Sequence, residues 1–307
     1  MITPKPLFKG ARIAVIAPAS PVPKEKEADI TASELALKDY GLVPVLYPSC
    51  FARNGYLAGS DAQRADDIMK AFEDETIDGI FCIRGGYGVQ RILDRLDFSR
   101  ISKHPKWLGG YSDITALHIA LNQYSHLVTY HTPMPSTEMI KGLDEYTGIY
   151  LKKAMFGGLS GSLPAEGVQT LRGGKAEGIL CGGNLSLVSS SLGTPYEIDT
   201  KGKLLFLEDV HEAPYRIDGM INHLRLAGKF EECAGIILGA YTDCEASDPE
   251  ASLSLNQIFD GLLPKDKPAI MHYPCGHCLP TLSLPLGAAA CLDADKKILW
   301  VEEEKTR

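Results

Sequence analysis

The sequence predicts a two-domain α/β protein, with a mostly parallel sheet in the N-terminal domain and a smaller, β-rich C-terminal domain of α+β or barrel-like type. Strand-like and helix-like segments alternate through the first half, a glycine-rich stretch over 157–174 interrupts them, and strand-like segments dominate the second half. Alternation of this kind is typical of a parallel sheet covered on both faces. We therefore assign residues 1–156 to the first domain, 157–174 to a linker region and 175–307 to the second domain.

Five strands are predicted in the first domain, each a short apolar run bounded by turn-forming or polar residues. They cover 12–17, 43–47, 79–84, 107–110 and 127–131. Helices are predicted between them, over 25–40, 61–73, from the glycine turn 85–88 to about 96, and over 113–124. Ser60 and Gln63 have the spacing of a capping box, which begins the second helix.

The second domain is predicted from apolar runs of strand length mixed with two helical segments. The strands cover 177–180, 204–207, 235–238 and 298–301, and the helices cover 185–192 and 218–226. Neither an internal repeat nor a low-complexity tract is visible. This mixture favours an α+β or barrel-like arrangement.

Composition excludes several classes of function. The formal net charge is −8, and no run of Lys and Arg is long enough to neutralise a nucleic-acid backbone, so we expect no nucleic-acid partner. No apolar stretch approaches the ~18 residues of a membrane span. The apolar run near the N-terminus, residues 13–17, is too short for the core of a signal peptide. We expect a cytoplasmic protein without membrane contact.

Ser112 lies in a tight turn between a predicted strand and a predicted helix, in the sequence Gly109-Gly110-Tyr111-Ser112-Asp113. A serine in such a turn is exposed at the carboxyl edge of the sheet, where backbone N–H groups of the helix N-terminus are available. This is the placement of a nucleophile elbow. The same position also suits a simple N-cap, which serine often provides.

A second glycine-rich turn, Arg84-Gly85-Gly86-Tyr87-Gly88, follows the neighbouring predicted strand. Glycines allow the backbone to approach a ligand and expose its N–H groups. The turn could stabilise an oxyanion together with the N–H of Asp113, hold a phosphate, or be a plain tight turn. Its spacing differs from the dinucleotide fingerprint.

An acid and a histidine in the second domain could complete a catalytic triad. The predicted strand 204–207 ends at Glu208 and Asp209, and spacing alone does not choose between these acids and Glu212. Of eight histidines, His277 stands out because glycine precedes it and Leu279-Pro280 follows, which indicates a loop. Histidine is the usual general base near neutral pH.

Cys275-Gly276-His277-Cys278 has the letters of a disulfide-exchange motif, but its context differs. That motif begins a helix after the first strands of a thioredoxin-like domain, whereas here it lies near the C-terminus. A zinc site would need further ligands, and no second Cys-x-x-Cys or paired histidines follow. We expect neither a metal nor another cofactor.

Together these segments resemble the LD-carboxypeptidase family of serine peptidases, also known as muramoyltetrapeptide carboxypeptidases, which includes the microcin C immunity peptidases. The matching motifs occur in the family's order along nearly the whole chain. They are Ile16-Ala17-Pro18-Ala19-Ser20, Tyr56-Leu57-Ala58-Gly59, Arg84-Gly85-Gly86-Tyr87-Gly88, Gly110-Tyr111-Ser112-Asp113, Gly182-Gly183-Asn184-Leu185, Leu207-Glu208-Asp209-Val210 and Gly276-His277.

The resemblance implies a Rossmann-like N-terminal domain that carries the nucleophile and a β-rich C-terminal domain that carries acid and base. It implies Ser112 as nucleophile, Glu208 as acid and His277 as base, with the N–H groups of Gly86 and Asp113 as the oxyanion hole. It also implies a homodimer and a small muropeptide substrate, from which the enzyme cleaves the terminal D-alanine of an L-residue–D-Ala bond during murein recycling.

Three side chains are candidates for substrate binding. Arg84 and Arg216 could hold the substrate carboxylate, because a guanidinium can bind both carboxylate oxygens. Asn184 is the third candidate. The alternative functions are a microcin C immunity-type peptidase, which cleaves aminoacyl-nucleotide amides, and a lipase-like α/β-hydrolase, which the absence of a second elbow glycine disfavours. A non-enzymatic domain that binds a sugar or nucleotide through the glycine turn is a further alternative.

Overall fold

The computed structural model describes residues 1–302, which form two compact units. Of these residues, the first unit comprises Met1–Gly158 and Ser283–Gly287, and the second comprises Leu159–Leu282 and 288–302. The chain therefore enters the second unit, returns to the first for five residues, and ends its described part in the second. The predicted linker 157–174 contains two short strands of the second unit.

The strands are numbered in chain order. They are β1 Arg12–Ile16, β2 Val43–Leu46, β3 Gly79–Cys82, β4 Trp107–Gly110, β5 Thr129–His131, β6 Gly161–Leu163, β7 Gln169–Arg172, β8 Lys175–Asn184, β9 Leu204–Val210, β10 Gly235–Thr242, β11 Ala269–Met271, β12 Leu284–Leu286, β13 Ala289–Asp293 and β14 Ile298–Val301.

The α-helices are α1 Ala28–Asp39, α2 Asp61–Glu73, α3 Phe98–Ile101, α4 Thr115–Tyr124, α5 Glu145–Phe156, α6 Leu185–Ser190, α7 Pro214–Leu226, α8 Lys229–Glu232 and α9 Leu255–Leu262. Short 3₁₀ helices cover Lys24–Lys26, Pro48–Phe51, Val89–Arg95, Ser112–Ile114, Met139–Lys141 and Pro249–Ala251. Among residues 1–302, none of the helices is both long and apolar enough to cross a bilayer.

The first unit is built on a six-stranded sheet in the order β12-β5-β4-β3-β1-β2. Strands β1 to β5 are parallel, and β12 pairs antiparallel with β5 at one edge. All residues of β3 and β4 are buried, as expected for strands covered on both faces. The sequence prediction of a parallel α/β domain is thus confirmed.

The second unit contains an eight-stranded sheet in the order β6-β14-β13-β8-β9-β10-β11-β7. Its four central strands, β8 to β11, are parallel, whereas the outer strands pair antiparallel. The predicted β-rich second domain is confirmed, but the barrel-like arrangement is not found, because the sheet is open, with β6 and β7 at its two ends. The core of this unit includes buried apolar residues of β9 and β10, of other strands of the sheet and of helices α6 to α9.

Several predicted elements differ in type or extent. The segment after the glycine turn is a 3₁₀ helix, Val89–Arg95, and its first amide is bonded to a carboxylate from outside the segment. The helix predicted from residue 113 begins as a 3₁₀ turn at Ser112 and becomes α-helical at Thr115. In α2 the hydroxyl of Ser60 accepts the N–H of Gln63 at 3.2 Å, as its capping sequence predicts.

Candidate active site

Three loops of the first unit meet at one edge of its sheet. β1, β3 and β4 are neighbours and run parallel, so their carboxyl ends lie at the same edge. The loop after β1 carries Ser20, the loop after β3 carries Gly85 and Gly86, and the turn after β4 carries Ser112. This edge is where open α/β sheets bind ligands.

Ser112 has a left-handed backbone conformation, with φ of 66°. Such a conformation is uncommon for a residue with a Cβ and costs on the order of 1–3 kcal/mol, so it persists where the surroundings enforce it. Strand β4 ends at Gly110, the 3₁₀ turn Ser112–Ile114 follows, and α4 begins at Thr115. This is the strand-turn-helix geometry of a nucleophile elbow.

The glycine turn after β3 lies against this elbow. A Cβ on Gly85 would be 2.8 Å from the Cβ of Ser112 and 3.0 Å from its Oγ, which is closer than side chains pack. Gly86 has φ of 121°, and a Cβ there would overlap the side chain of Ser20. The hydroxyl of Ser20 accepts the N–H of Tyr87 at 3.1 Å. Glycine is therefore required at both positions by close contacts.

Asp113 joins the elbow to the glycine turn. Its side chain is buried, and its Oδ2 accepts the N–H of Val89 at 2.8 Å. Burial raises the pKa of Asp113 to about 6, although the bond from Val89 and the charge of Arg64 oppose this rise. The two residues predicted to supply oxyanion-hole amides, Gly86 and Asp113, thus belong to adjacent loops of one unit.

His118 supports the elbow from α4, a role that the sequence analysis missed. Its Nε2 bonds to the carbonyl oxygen of Gly110 at 2.9 Å, and its Nδ1 bonds to the hydroxyl of Thr129 at 2.8 Å. A carbonyl only accepts, so Nε2 carries the proton and Nδ1 accepts from Thr129. The imidazole is fully buried, and burial lowers its pKa to about 3.

In the second unit, Glu208 lies near the end of β9. The parallel register pairs it with Asn184, the last residue of β8, so both lie at the carboxyl edge of the central sheet. The side chain of Glu208 is completely buried. A buried carboxylate is stable only where hydrogen-bond donors surround it.

The loop after β11 brings His277 to this carboxylate. The loop stays bonded to β10, because Tyr273 N–H donates to the Leu238 carbonyl and Ala240 N–H donates to the Cys275 carbonyl, each at 3.0 Å. His277 Nδ1 then lies 2.7 Å from Glu208 Oε2.

The contact with Glu208 fixes the chemistry of the imidazole. The carboxylate accepts the Nδ1–H of His277 and also its backbone N–H at 3.2 Å. The lone pair of the neutral ring is therefore on Nε2. The predicted acid and base are brought together in the geometry by which a carboxylate orients a general base.

Two glycines make room for this pair. Gly276 has φ of 122°, and a Cβ there would lie 2.6 Å from Glu208 Oε2 and 2.8 Å from its Cβ. At Gly239, beside a register shift in β10, a Cβ would lie 2.5 Å from the Cys275 carbonyl oxygen. The glycine before His277, which predicts a loop at the level of sequence, is thus required by close packing.

The other acids that spacing left open have different partners. The carboxylate of Asp209 accepts from the amide of Asn184 at 2.9 Å and from the hydroxyl of Ser186 at 2.7 Å. Burial raises the pKa of Asp209, and these hydrogen bonds oppose the rise. Glu212 forms an ion pair with Arg216 one turn along the chain. Of the three acids, Glu208 is the one bonded to His277 in the described structure.

The candidate substrate-binding residues lie in both units. Arg84, half-buried in the first unit, donates to the carbonyl of Pro21 at 3.0 Å, and burial lowers its pKa. Arg216, on α7 of the second unit, is exposed and paired with Glu212. Asn184 caps α6 by accepting the N–H of Leu187 at 3.3 Å, while its amide nitrogen binds Asp209.

The two cysteines beside His277 have different environments. Cys275 is fully buried, and its Sγ donates to the carbonyl of Leu282 at 3.0 Å. Burial raises its pKa well above the ordinary value, which disfavours the thiolate that redox exchange and metal binding require. Cys278 is half-buried, with its Sγ 3.4 Å from the carbonyl oxygen of Pro280.

Comparison with known proteins identifies both halves of the chain. Residues 13–132 match the LD-carboxypeptidase N-terminal domain, and residues 177–292 match the LD-carboxypeptidase C-terminal domain. The chain is 43% identical to a probable murein peptide carboxypeptidase of Bacillus subtilis, over 97% of this chain and 94% of the relative. It is 28% identical to the microcin C7 self-immunity protein MccF of Escherichia coli, over 81% of this chain and 80% of that protein.

A solved structure supports the same assignment. The crystal structure of muramoyltetrapeptide carboxypeptidase from Oxalobacter formigenes aligns with a TM-score of 0.85 and 28% identity, over 96% of this chain and 100% of that chain. The family resemblance inferred from the sequence motifs is confirmed. The chain belongs to the LD-carboxypeptidase family of peptidases.

Proposed function

We propose that this protein is a serine-type LD-carboxypeptidase that releases the terminal D-alanine from the L-residue–D-Ala bond of murein tetrapeptides. In this proposal Ser112 is the nucleophile, His277 the general base and Glu208 the acid that orients the base. The names of its Bacillus and Oxalobacter relatives support the substrate class.

The observation that carries the proposal is the hydrogen bond between the buried Glu208 carboxylate and His277 Nδ1, at 2.7 Å. A fully buried acid bonded to a histidine is expensive to maintain for stability alone. It is, however, the arrangement that leaves Nε2 available to take a proton and that stabilises the imidazolium formed afterwards. The left-handed conformation of Ser112 supports its role as the nucleophile.

The proposed mechanism is acyl transfer in two stages. His277 Nε2 takes the proton of Ser112 Oγ as the oxygen bonds to the scissile carbonyl carbon. The resulting imidazolium protonates the amino group of D-alanine, and the C–N bond breaks to leave an acyl-enzyme. Water, deprotonated by His277, then attacks the ester, and the proton returns to Ser112 as the shortened peptide leaves.

The oxyanion of each tetrahedral intermediate needs preorganised donors, and we assign the N–H groups of Gly86 and Asp113. This assignment is supported by the packing of the glycine turn on the elbow, which leaves no space for a Cβ at Gly85. Loss of one such donor typically reduces kcat by about 10²–10³-fold.

A carboxypeptidase must also bind the free carboxylate of its substrate. We favour Arg84 over Arg216, because Arg216 is exposed and its charge is paired with Glu212. In the described part of the chain, no carboxylate lies within ion-pairing distance of Arg84, and it lies beside the glycine turn. Asn184 remains a weaker candidate, since its amide is bonded to Asp209 and Leu187.

A second candidate function is the immunity-type cleavage of an aminoacyl-nucleotide, as the MccF relative suggests. This reaction needs an aromatic surface for the nucleobase. Trp107 is completely buried, but Tyr56 and Tyr87 are exposed and in edge-to-face contact, with ring centroids 5.5 Å apart. Tyr87 lies in the glycine turn, so this tyrosine pair is the observation that favours the alternative. The lipase-like alternative is not retained, because both halves match LD-carboxypeptidase domains.

Direct competition between a murein tetrapeptide and an aminoacyl-sulfamoyl adenosine tests the substrate. We expect release of D-alanine from the tetrapeptide with the larger kcat/KM, read by mass spectrometry. Cleavage of the nucleotide conjugate with an untouched tetrapeptide would overturn the substrate assignment while leaving the triad in place.

Replacement of the nucleophile tests the mechanism. Ser112→Ala should lower kcat by several orders of magnitude and abolish labelling by a fluorophosphonate. Ser125→Ala is the matched control, because it removes a buried hydroxyl that donates to the Phe98 carbonyl in the same unit. If Ser112→Ala keeps more than roughly a tenth of wild-type activity, Ser112 is not the nucleophile.

The expected homodimer and cytoplasmic location remain part of the proposal. The family resemblance supports the dimer, and the murein-recycling substrate supports the location. Light scattering on the purified protein and fractionation of the producing cell test them separately, and a monomer or a secreted protein would contradict the corresponding expectation.

A further inference from the structure

The peptide bond between Gly88 and Val89 is held at both of its polar ends by buried charged side chains. The carbonyl oxygen of Gly88 accepts from Arg64 Nη1 at 2.8 Å, and the N–H of Val89 donates to Asp113 Oδ2 at 2.8 Å. Arg64 has 0% and Asp113 2% of its surface exposed. We call Arg64, Asp113 and this peptide the 88–89 clamp.

Arg64 fixes its end of the clamp to two further segments. Its guanidinium donates to the carbonyl of Pro18, in the loop after β1, and to Asp61 Oδ1 at 2.5 Å, at the start of α2. Asp61 also pairs with Arg91, beyond the glycine turn, at 2.7 Å. One buried cation thus joins the loop after β1, α2 and the loop after β3.

Asp113 fixes the other end to the elbow. It follows Ser112 directly, and its own backbone N–H is one of the two proposed oxyanion donors. The other donor, Gly86, lies two residues before the clamped peptide. The Asp113 side chain therefore sets the distance between the segments that carry the two donors. Charge-assisted hydrogen bonds are stronger and shorter than neutral ones, which suits this purpose.

Glycine at position 88 is part of the same arrangement. It has φ of 129°, and a Cβ there would lie 2.6 Å from Leu57 Cδ2 and 2.9 Å from Arg64 Nη1. A side chain would therefore displace the guanidinium from the carbonyl that it binds.

We propose that Arg64 and Asp113 are positioning residues, which hold the glycine turn and the serine elbow in the relative position that the oxyanion hole requires. The inference rests on the proposed function, since it assigns these residues a role in that reaction. Neither side chain is required to touch the substrate. Their loss should therefore lower kcat and leave KM nearly unchanged.

Four variants of the full-length protein separate positioning from general stability. Asp113→Ala and Arg64→Met should each lower kcat for a murein tetrapeptide by about 10²-fold, with KM within about threefold of wild type. Asp113→Asn keeps an oxygen that can accept the Val89 N–H, so it should recover to within about tenfold of wild type. Lys106→Met is the matched control. Lys106 is a buried cation that donates to the Ala71 carbonyl at 3.0 Å, and it directly precedes the first residue of β4, at the end of the strand far from Ser112.

A double-mutant cycle gives the decisive comparison. Because Arg64 and Asp113 hold the same peptide, the double variant should lose little more than the more damaging single variant, whereas Lys106→Met and Asp113→Ala should act independently. Independent, multiplicative losses for Arg64→Met and Asp113→Ala overturn the clamp, as does an equal loss of kcat in Lys106→Met.

Amide hydrogen exchange provides a readout that needs no activity and tolerates a weakly folded variant. Exchange in the segment 84–93 should rise in Asp113→Ala and in the milder Arg64→Lys, but not in Lys106→Met. Unchanged exchange in both variants overturns the clamp. Activity retained by Ser112→Ala would instead refute the proposed function, and the exchange result would still decide whether the clamp exists.

Discussion

Replacement of His118 should make the unfolding free energy of the first unit less sensitive to acid. The imidazole bonds to the Gly110 carbonyl and the Thr129 hydroxyl, and burial lowers its pKa from 6.5 to about 3, with a smaller contribution from His131. Because the folded-state pKa is the lower one, the unfolded chain binds more protons between these two values. The stability from neutral His118 is present above pH 6.5 and is lost as the pH falls towards 3.

The size of this loss of unfolding free energy follows from the shift in the pKa of His118. Each pKa unit corresponds to about 1.36 kcal/mol, so the whole window is worth on the order of 5 kcal/mol. Between pH 7 and pH 4 the wild-type protein should lose roughly 3 kcal/mol of unfolding free energy through this residue. His118→Gln does not titrate there and can still donate to Gly110. The difference in unfolding free energy between the two proteins should therefore shrink by that amount at pH 4.

Urea denaturation at the two pH values measures this difference. In a Trp300→Phe background, Trp107 is the remaining tryptophan, and its burial in the first unit makes it a reporter of that unit. Groups that titrate in both proteins cancel in the comparison. A difference between His118→Gln and wild type that stays constant within about 0.5 kcal/mol from pH 7 to pH 4 would refute the reasoning.

Three further predictions concern the catalytic loops. Gly276→Ala should lower kcat/KM by about 10²-fold or more, because its Cβ would displace the Glu208 carboxylate that holds His277. Gly261→Ala is the control and should match wild type, because its Cβ has no neighbour within 4 Å. The Cys275→Ser, Cys278→Ser double variant should keep most of its peptidase activity and chelators should not inhibit the wild type, whereas inhibition reversed by zinc would indicate a metal site. For Asp113, burial raises the pKa from 3.8 to about 6, so the stability contributed by the protonated side chain is present below pH 3.8 and lost as the pH rises towards 6. The unfolding free energy of Asp113→Asn, relative to wild type, should therefore increase by roughly 3 kcal/mol between pH 4 and pH 7 in denaturation experiments. A difference that stays constant would contradict this.

The sequence predicted all five parallel strands of the first unit and helix α2, but it missed two helices, α5 and α9, and several short strands. Strands β1 to β5 and helix α2 lie where the apolar patterns indicated. The strand β12 was missed because it has three residues and contains Pro285, which argues against a strand unless it lies at an edge, as this one does. The pairing of β12 with β5 is a long-range contact that no local pattern reveals.

Parts of the candidate site could be predicted because parallel strands end at one edge. That rule places the turn of Gly85 beside the turn of Ser112 without any coordinates. Local patterns could not identify Arg64 or His118, since each occupies an ordinary interior position of a helix, α2 or α4. Their roles come from buried carbonyl groups contributed by other elements, and the sequence carries no signal for these groups.

The choice of Glu208 over Asp209 shows a similar limit. Adjacent residues of a strand point to opposite faces of the sheet, so alternation separates the two acids. It does not say which face the histidine approaches, and both side chains are buried. The loop after β11, whose course depends on its bonds to β10, supplies that information.

The edge strand β12 has a consequence for synthesis on the ribosome. The first unit needs residues Leu284–Leu286 to complete its sheet, yet the rest of its strands end at His131. At translation rates of about 5–20 residues per second, β5 waits roughly 8–30 s for its partner while nearly all of the second unit is made. During this interval its backbone edge is open to pairing with other chains. The nascent protein should therefore need chaperone protection until residues Leu284–Leu286 have been made and can pair with β5.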